Sequence, residues 1–109
     1  VIGKISRDPG RTLCDWLWMA KLNPVQIRAA LASVSEWKKK GQAITRTYVF
    51  KDFPGAIKFV NALARLAEKT WHHPDIDIRW NKVKLLLTTH DVGGLTEKDF
   101  ELARKFDRL

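Results

Sequence analysis

The chain holds three histidines, His72, His73 and His90, and imidazole is the side chain that both gives and takes a proton near neutral pH. His72 and His73 are adjacent, Glu68 and Asp75 flank them, and Asp91 follows His90. Two chemistries could use such a set. A metal centre is the poorer fit: neighbouring histidines cannot easily aim both rings at one ion, no pair has the i, i+4 spacing, and no cysteine stands with them. Acid–base catalysis without a metal or cofactor is the expectation, with histidines that have no role as the bland alternative. The single cysteine, Cys14, can form no intrachain disulfide, which favours a reducing compartment.

Acid–base work requires the three rings to meet, so the elements that carry them matter. Asp75 to Trp80 alternates polar and apolar residues, the pattern of a strand with one buried face, and Val83 to Thr89 repeats it with Val83, Leu85 and Leu87 on one side. A hairpin turning at Asn81-Lys82 would set Ile78 opposite Leu85 and His73 opposite His90, with Cβ atoms about 5 Å apart. Asn-Lys is not the Asn-Gly that a tight turn prefers, so this register rests on spacing alone.

The other elements announce themselves by their caps. Asn23-Pro24 starts a short helix with Ile27, Ala30, Leu31 and Val34 on its apolar face. Ile44 to Phe50 is β-branched and aromatic, a strand paired with the stretch around Trp37. Asp52 caps a long helix carrying Ala56, Phe59, Val60, Leu63, Leu66 and Ala67, which ends near Trp71 because Pro74 disfavours helical geometry at His73. Thr96-Glu97-Lys98-Asp99 resembles a capping box with Asp in place of Glu, and Phe100, Ala103 and Phe106 carry a last helix. The order α-β-β-α-β-β-α with short connections predicts an α+β fold: a four-stranded antiparallel sheet with three helices on one face.

Glu68-Lys69-Thr70-Trp71-His72-His73-Pro74, Trp80-Asn81-Lys82-Val83 and Thr88-Thr89-His90-Asp91-Val92-Gly93-Gly94-Leu95-Thr96-Glu97-Lys98-Asp99 together resemble the signature of the pterin-4a-carbinolamine dehydratases. The likeness reaches upstream to Trp37, Ile44 to Phe50 and Lys51-Asp52-Phe53, so it covers roughly residues 22–109. The resemblance implies the same α+β fold and loss of water from 4a-hydroxytetrahydropterin, a hydro-lyase reaction of tetrahydrobiopterin recycling. It implies His72 and His90 as acid and base, His73 as pterin binder and proton donor's assistant, and Glu68 orienting a histidine. Thr88, Thr89, His90 and Asp91 would hold the pterin's polar edge, with Trp37 and Trp80 as apolar walls. Trp71 stands where the family often has Asp or Asn, and Trp80 where it often has Tyr. Core or rim packing is the competing role for Trp37 and Trp80. The family also contains non-catalytic interaction modules, coactivators and assembly factors, and these are the alternative function. A homodimer or homotetramer is expected, because family members assemble through helices and sheet edges and a core this small gains from assembly.

At 109 residues, 45% apolar and 29% charged, the chain has room for one globular domain of the usual ~100–200 residues and no second one. Its longest apolar stretches fall far short of the ~18 residues of a spanning helix. The net charge of +8 invites an anionic partner. Of it, residues 1–51 carry +7, with ten basic and three acidic side chains, whereas residues 52–109 carry ten basic and nine acidic. The densest run, Lys38-Lys39-Lys40 before Gly41, reads as a solvated turn, and no nucleic-acid-reading motif accompanies it, so nucleic acid is not an expected partner. Residues 1–21 read as an N-terminal extension and 22–109 as the dehydratase-like domain. The expected location is the cytoplasm, or an organelle if residues 1–21 are the remnant of a targeting segment.

Overall fold

The computed structural model describes residues 20–109. Cys14 and all but the end of the expected 1–21 extension lie outside them.

Helix α1 (Pro24–Leu31) begins where the sequence marks it: the Asn23 side chain accepts the Gln26 N–H at 2.8 Å and Gln26 accepts the Asn23 N–H at 2.9 Å. The helix stops at Leu31, short of Val34, which is nevertheless buried in the core. Strand β1 (Lys38–Lys40) follows, then a turn through Gly41 at φ 62°, and β2 (Ala43–Val49). The lysine run therefore is not the turn expected of it. It is an edge strand paired with β2, and an edge tolerates lysines because they keep their heads in water and discourage further strand pairing.

Asp52 accepts the Gly55 N–H at 2.9 Å and starts helix α2 (Phe53–Thr70). Strands β3 (Asp75–Arg79) and β4 (Lys82–Leu87) come next, then a 3-10 turn (His90–Val92) and helix α3 (Glu97–Asp107). The sheet order is β1-β2-β4-β3, antiparallel throughout. Ile44, Val83, Leu85 and Leu87 on one face meet Ala56 and Leu63 of α2 and Phe100, Ala103 and Phe106 of α3. The α+β architecture read from the element order is the one found.

The β3–β4 register differs from the expected one by two residues. Ile78 lies opposite Val83 and Asp75 opposite Leu86, where the pairing ends, so His73 and His90 are not a cross-strand pair. The turn is Trp80-Asn81, with Trp80 at φ 55°. Asn81 dictates this: its side chain donates to the Phe50 carbonyl and its own carbonyl accepts the Phe50 N–H, both at 2.8 Å. That leaves Lys82 free to pair with both Val49 and Arg79.

At the far end of α3, Asp107 pins the helix to the sheet. It accepts from Trp37 Nε1 at 3.0 Å, from Arg46 at 2.8 Å and from the Tyr48 hydroxyl. Burial, with the Asp107 carboxylate behind it, pushes the Tyr48 phenol well above its ordinary 10.0. A raised phenol favours the protonated form in the folded state. The stability this provides is complete below pH 10 and is lost as the pH rises through the folded value. Tyr48 is the one tyrosine of the chain, so ultraviolet titration reads it alone. The native chain should show no tyrosinate at about pH 11, whereas the unfolded chain ionises near the ordinary value.

Candidate active site

The end of α2 divides the paired histidines. Trp71 takes left-handed geometry (φ 56°, ψ 35°), its N–H bonds the Glu68 carbonyl, and the His72 N–H reaches back to the Ala67 carbonyl. This closure satisfies the last carbonyls of the helix and reverses the chain. An αL residue is ordinarily Gly, Asn or Asp, so the geometry itself explains why an Asp or Asn suits position 71 and why a tryptophan there is strained.

Beyond that turn His72 points inward and His73 outward. His72 is 9% exposed, and its Nε2–H donates to Asp99 Oδ1 at 2.5 Å. Asp99 is 0% exposed. Its other oxygen, Oδ2, accepts the Thr89 hydroxyl at 2.8 Å and the Thr96 N–H at 2.9 Å. Because the Thr89 proton is spent on Asp99, the Thr96 hydroxyl donates to Thr89 Oγ at 2.9 Å. A buried carboxylate is tolerable only when paired and hydrogen-bonded, and this one has three donors. With Nε2 occupied, Nδ1 is the nitrogen His72 has left for chemistry.

His73 donates through Nε2 to Glu68 Oε2 at 2.7 Å, and both side chains are exposed. The pair orients the ring and adds little stability, since solvent screens it. His90 opens the 3-10 turn next to Thr89, whose backbone is locked to Gly94 by two hydrogen bonds of 2.9 and 3.3 Å. Thr89 thus touches the carboxylate that holds His72 and is joined by a peptide bond to His90. That link ties the segment carrying His90 to the carboxylate that holds His72, without the cross-strand pairing expected of His73 and His90.

The remaining expected residues divide. Asp91 is exposed on the His90 turn, and Trp71, 39% exposed, adjoins His72. The Thr88 hydroxyl donates to the Gln42 carbonyl at 2.6 Å and so serves the sheet. Trp37 and Trp80 are placed away from the histidines. Trp37 is 2% exposed and bonded to Asp107, which lies about 12 Å along α3 from Asp99 at 1.5 Å per residue. Trp80 sits at the hairpin turn, about 17 Å of strand from Asp75. Core packing accounts for Trp37.

In the sequence Asp99 stands out only as part of a helix cap. Its spacing to Ala103 and Phe106 (i+4, i+7) places it on the apolar stripe of α3, and an acid on a buried stripe requires a partner. A small pocket open to solvent beside His72 is bounded by Thr70, Lys98, Glu101, Leu102 and Lys105.

The comparisons with known proteins agree with one another on the family. The family model described as Pterin 4 alpha carbinolamine dehydratase matches residues 20–109. The chain belongs to that family. A protein of Thermomicrobium roseum provisionally named a pterin-4-alpha-carbinolamine dehydratase is 53% identical over 91 residues, 84% of this chain and 98% of that one. A relative of the same name from Thermosynechococcus vestitus is 49% identical over 89 residues, 82% of this chain and 94% of its own. The crystal structure of a "transcriptional coactivator/pterin dehydratase" from Brucella melitensis superposes with a TM-score of 0.79 at 37% identity, covering 82% of this chain and 97% of that chain. Family membership agrees with the resemblance read from His72, His73, His90 and their flanking residues.

Proposed function

We propose that this chain dehydrates 4a-hydroxytetrahydropterin to quinonoid dihydropterin and water, with its histidines as acid and base. The observation that carries the proposal is the buried Asp99 holding His72 by Nε2 while touching Thr89, the residue before His90.

In the reaction the C4a–O bond breaks, the hydroxyl leaves as water after gaining a proton, and N5 loses its proton as the new double bond forms. One group that gives a proton and one that takes it are sufficient. His72 through Nδ1 and His90, exposed on its turn, are that pair. Asp99 behind His72 keeps the ring in one tautomer and offsets the positive charge when Nδ1 is protonated. His73, steadied by Glu68, binds the pterin and assists protonation of the leaving hydroxyl. The Thr89 hydroxyl is committed to Asp99, its backbone to Gly94, and the Thr88 hydroxyl to Gln42, so the Thr88 backbone and the N–H groups of His90 and Asp91 are left for the pterin's polar edge. Trp71 offers an apolar wall.

Purified chain given 4a-hydroxytetrahydropterin should speed its dehydration, followed by the fall of the carbinolamine's absorbance. EDTA should leave the rate unchanged. A rate no higher than the uncatalysed one, or a rate abolished by EDTA and restored by a divalent ion, would overturn the proposal.

The Brucella melitensis relative's double name supports a second reading, an interaction module on the same fold. A scaffold alone has no use for a buried carboxylate oriented on a histidine, which favours catalysis. We also propose a homodimer or homotetramer. Ile76 and Ile78 are exposed on β3, an edge strand. Sedimentation at micromolar concentration should show an assembly, and a monomer alone would count against it. Among the described residues no helix is long and apolar enough to cross a membrane, and the cytoplasm is the location proposed.

A further inference from the structure

The sheet has a face that no helix among the described residues covers, and the fold gathers charge there that the linear sequence scatters. Cross-strand register sets Lys38, Thr45, Leu86 and Asp75 in one row, Thr47, Lys84 and Asp77 in the next, and Val49, Lys82 and Arg79 in a third. Lys40 extends the first strand on the same side. Five cations therefore stand with two carboxylates on one surface. Two of the cations come from β1 and three from the β3–β4 hairpin, some forty residues further along the chain. Counting charge along the chain could not show this patch.

The placement works against the hairpin's own stability. Arg79 lies directly opposite Lys82, and like charges facing across strands are unfavourable. Asp77 relieves Arg79 only weakly, at 3.2 Å between two exposed side chains. A shallow groove, open to solvent, runs between Thr47, Asp77, Arg79, Lys82 and Lys84. Val49, 65% exposed, stands in register with Lys82 and Arg79, and Trp80, 69% exposed, occupies the hairpin turn between Arg79 and Lys82. Dehydration of the pterin uses none of these groups.

We infer that this open face binds single-stranded nucleic acid: the lysines of β1 and β4 contact successive phosphates and the exposed Trp80 ring offers a surface for a base. Lysines at i and i+2 of a strand project on the same side about 7 Å apart, a regular row of point charges suited to a phosphate chain. Cationic grooves with an aromatic platform are how sheets hold single strands. A protein partner fits less well, because lysine is depleted from protein interfaces and this face has no apolar centre. A duplex also fits less well, because its major groove admits a helix or a two-stranded ribbon and not a four-stranded sheet.

The test is fluorescence anisotropy of the full chain with a labelled single-stranded RNA of about fifteen nucleotides, long enough for one site of this kind. If Lys38, Lys40, Lys82 and Lys84 each neutralise one phosphate, the slope of log K against log salt is about −2.8. Affinity then falls about 50-fold between about 50 and about 200 mM salt. Lys82→Gln with Lys84→Gln should halve that slope to about −1.4 and leave the dehydration rate at the wild-type value. Trp80→Ala, a solvent-exposed change, should weaken binding about tenfold without altering the slope. Three results would overturn the inference: no binding at the lower salt, a slope that the double lysine variant does not change, or displacement of the RNA by poly-glutamate as readily as by unlabelled RNA.

Discussion

Asp99→Asn is expected to lower the dehydration rate about a hundredfold or more while the chain still folds. The carboxylate now accepts from His72 Nε2–H, the Thr89 hydroxyl and the Thr96 N–H. An asparagine has one oxygen and one NH2 in the same space. If the oxygen serves Thr96 and Thr89, the NH2 faces His72 and donates to Nε2. The imidazole must then carry its proton on Nδ1, the nitrogen assigned to the substrate, and loses its ability to accept there. A carboxylate that fixes tautomer and charge is worth orders of magnitude in rate for this reason. The fold pays a smaller penalty, about 1–3 kcal/mol, for a disturbed buried hydrogen bond. Nitrogen NMR separates the two effects: His72 should show Nε2–H in the wild type and Nδ1–H in the variant, a change that mere loosening would not produce. A folded Asp99→Asn chain within threefold of the wild-type rate would remove Asp99 from the mechanism.

His72→Ala and His90→Ala should each lower the rate at least tenfold, within the ~10²–10⁴-fold that a positioned acid or base commonly supplies. The two differ in what else they disturb. His72 is buried, and its loss leaves Asp99 as a buried carboxylate short of one donor, so His72→Ala should also be less stable. His90 is exposed, and no side chain among the described residues hydrogen-bonds its ring. Its removal should leave thermal stability within about 0.5 kcal/mol, as for most surface changes, and act on the rate alone. His90→Ala is therefore the cleaner probe of chemistry, and a His90→Ala chain with a lowered melting temperature and an unchanged rate would reverse the assignment.

Much of the fold was legible because its signals are local. Asn23 and Asp52 announce their helices by side chains that must satisfy nearby N–H groups, and the spacing from Ala56 to Ala67 leaves one face for a core. The strands around Ile76 and Leu85 follow from alternation, and the one around Ile44 from its β-branched and aromatic residues. The misread parts depend on partners distant in sequence. The turn at Trp80-Asn81 is selected by Asn81 bonding Phe50, thirty-one residues earlier, so no inspection of the hairpin alone places it. Lys38 to Lys40 pair with β2 because an edge needs only one neighbour, and composition makes them look like a turn.

The candidate site divides in the same way. His72, His73, His90 and Glu68 stand out by residue type and by their flanking residues. In the sequence Asp99 stands out only as a cap, because its second role appears once the fold brings His72 and Thr89 to it and buries it. Trp37 reads as a possible wall in sequence and is drawn instead to Asp107 and the core, since its size and indole N–H are satisfied there.

The central claim is that this histidine set dehydrates a pterin carbinolamine, and the most direct measurement is the dehydration rate of 4a-hydroxytetrahydropterin with wild-type and His90→Ala chains at equal concentration. The wild type should exceed the spontaneous rate clearly, and His90→Ala should fall at least tenfold below it with its melting temperature unchanged. Equal rates for the two folded chains, or no acceleration by either, would contradict the account.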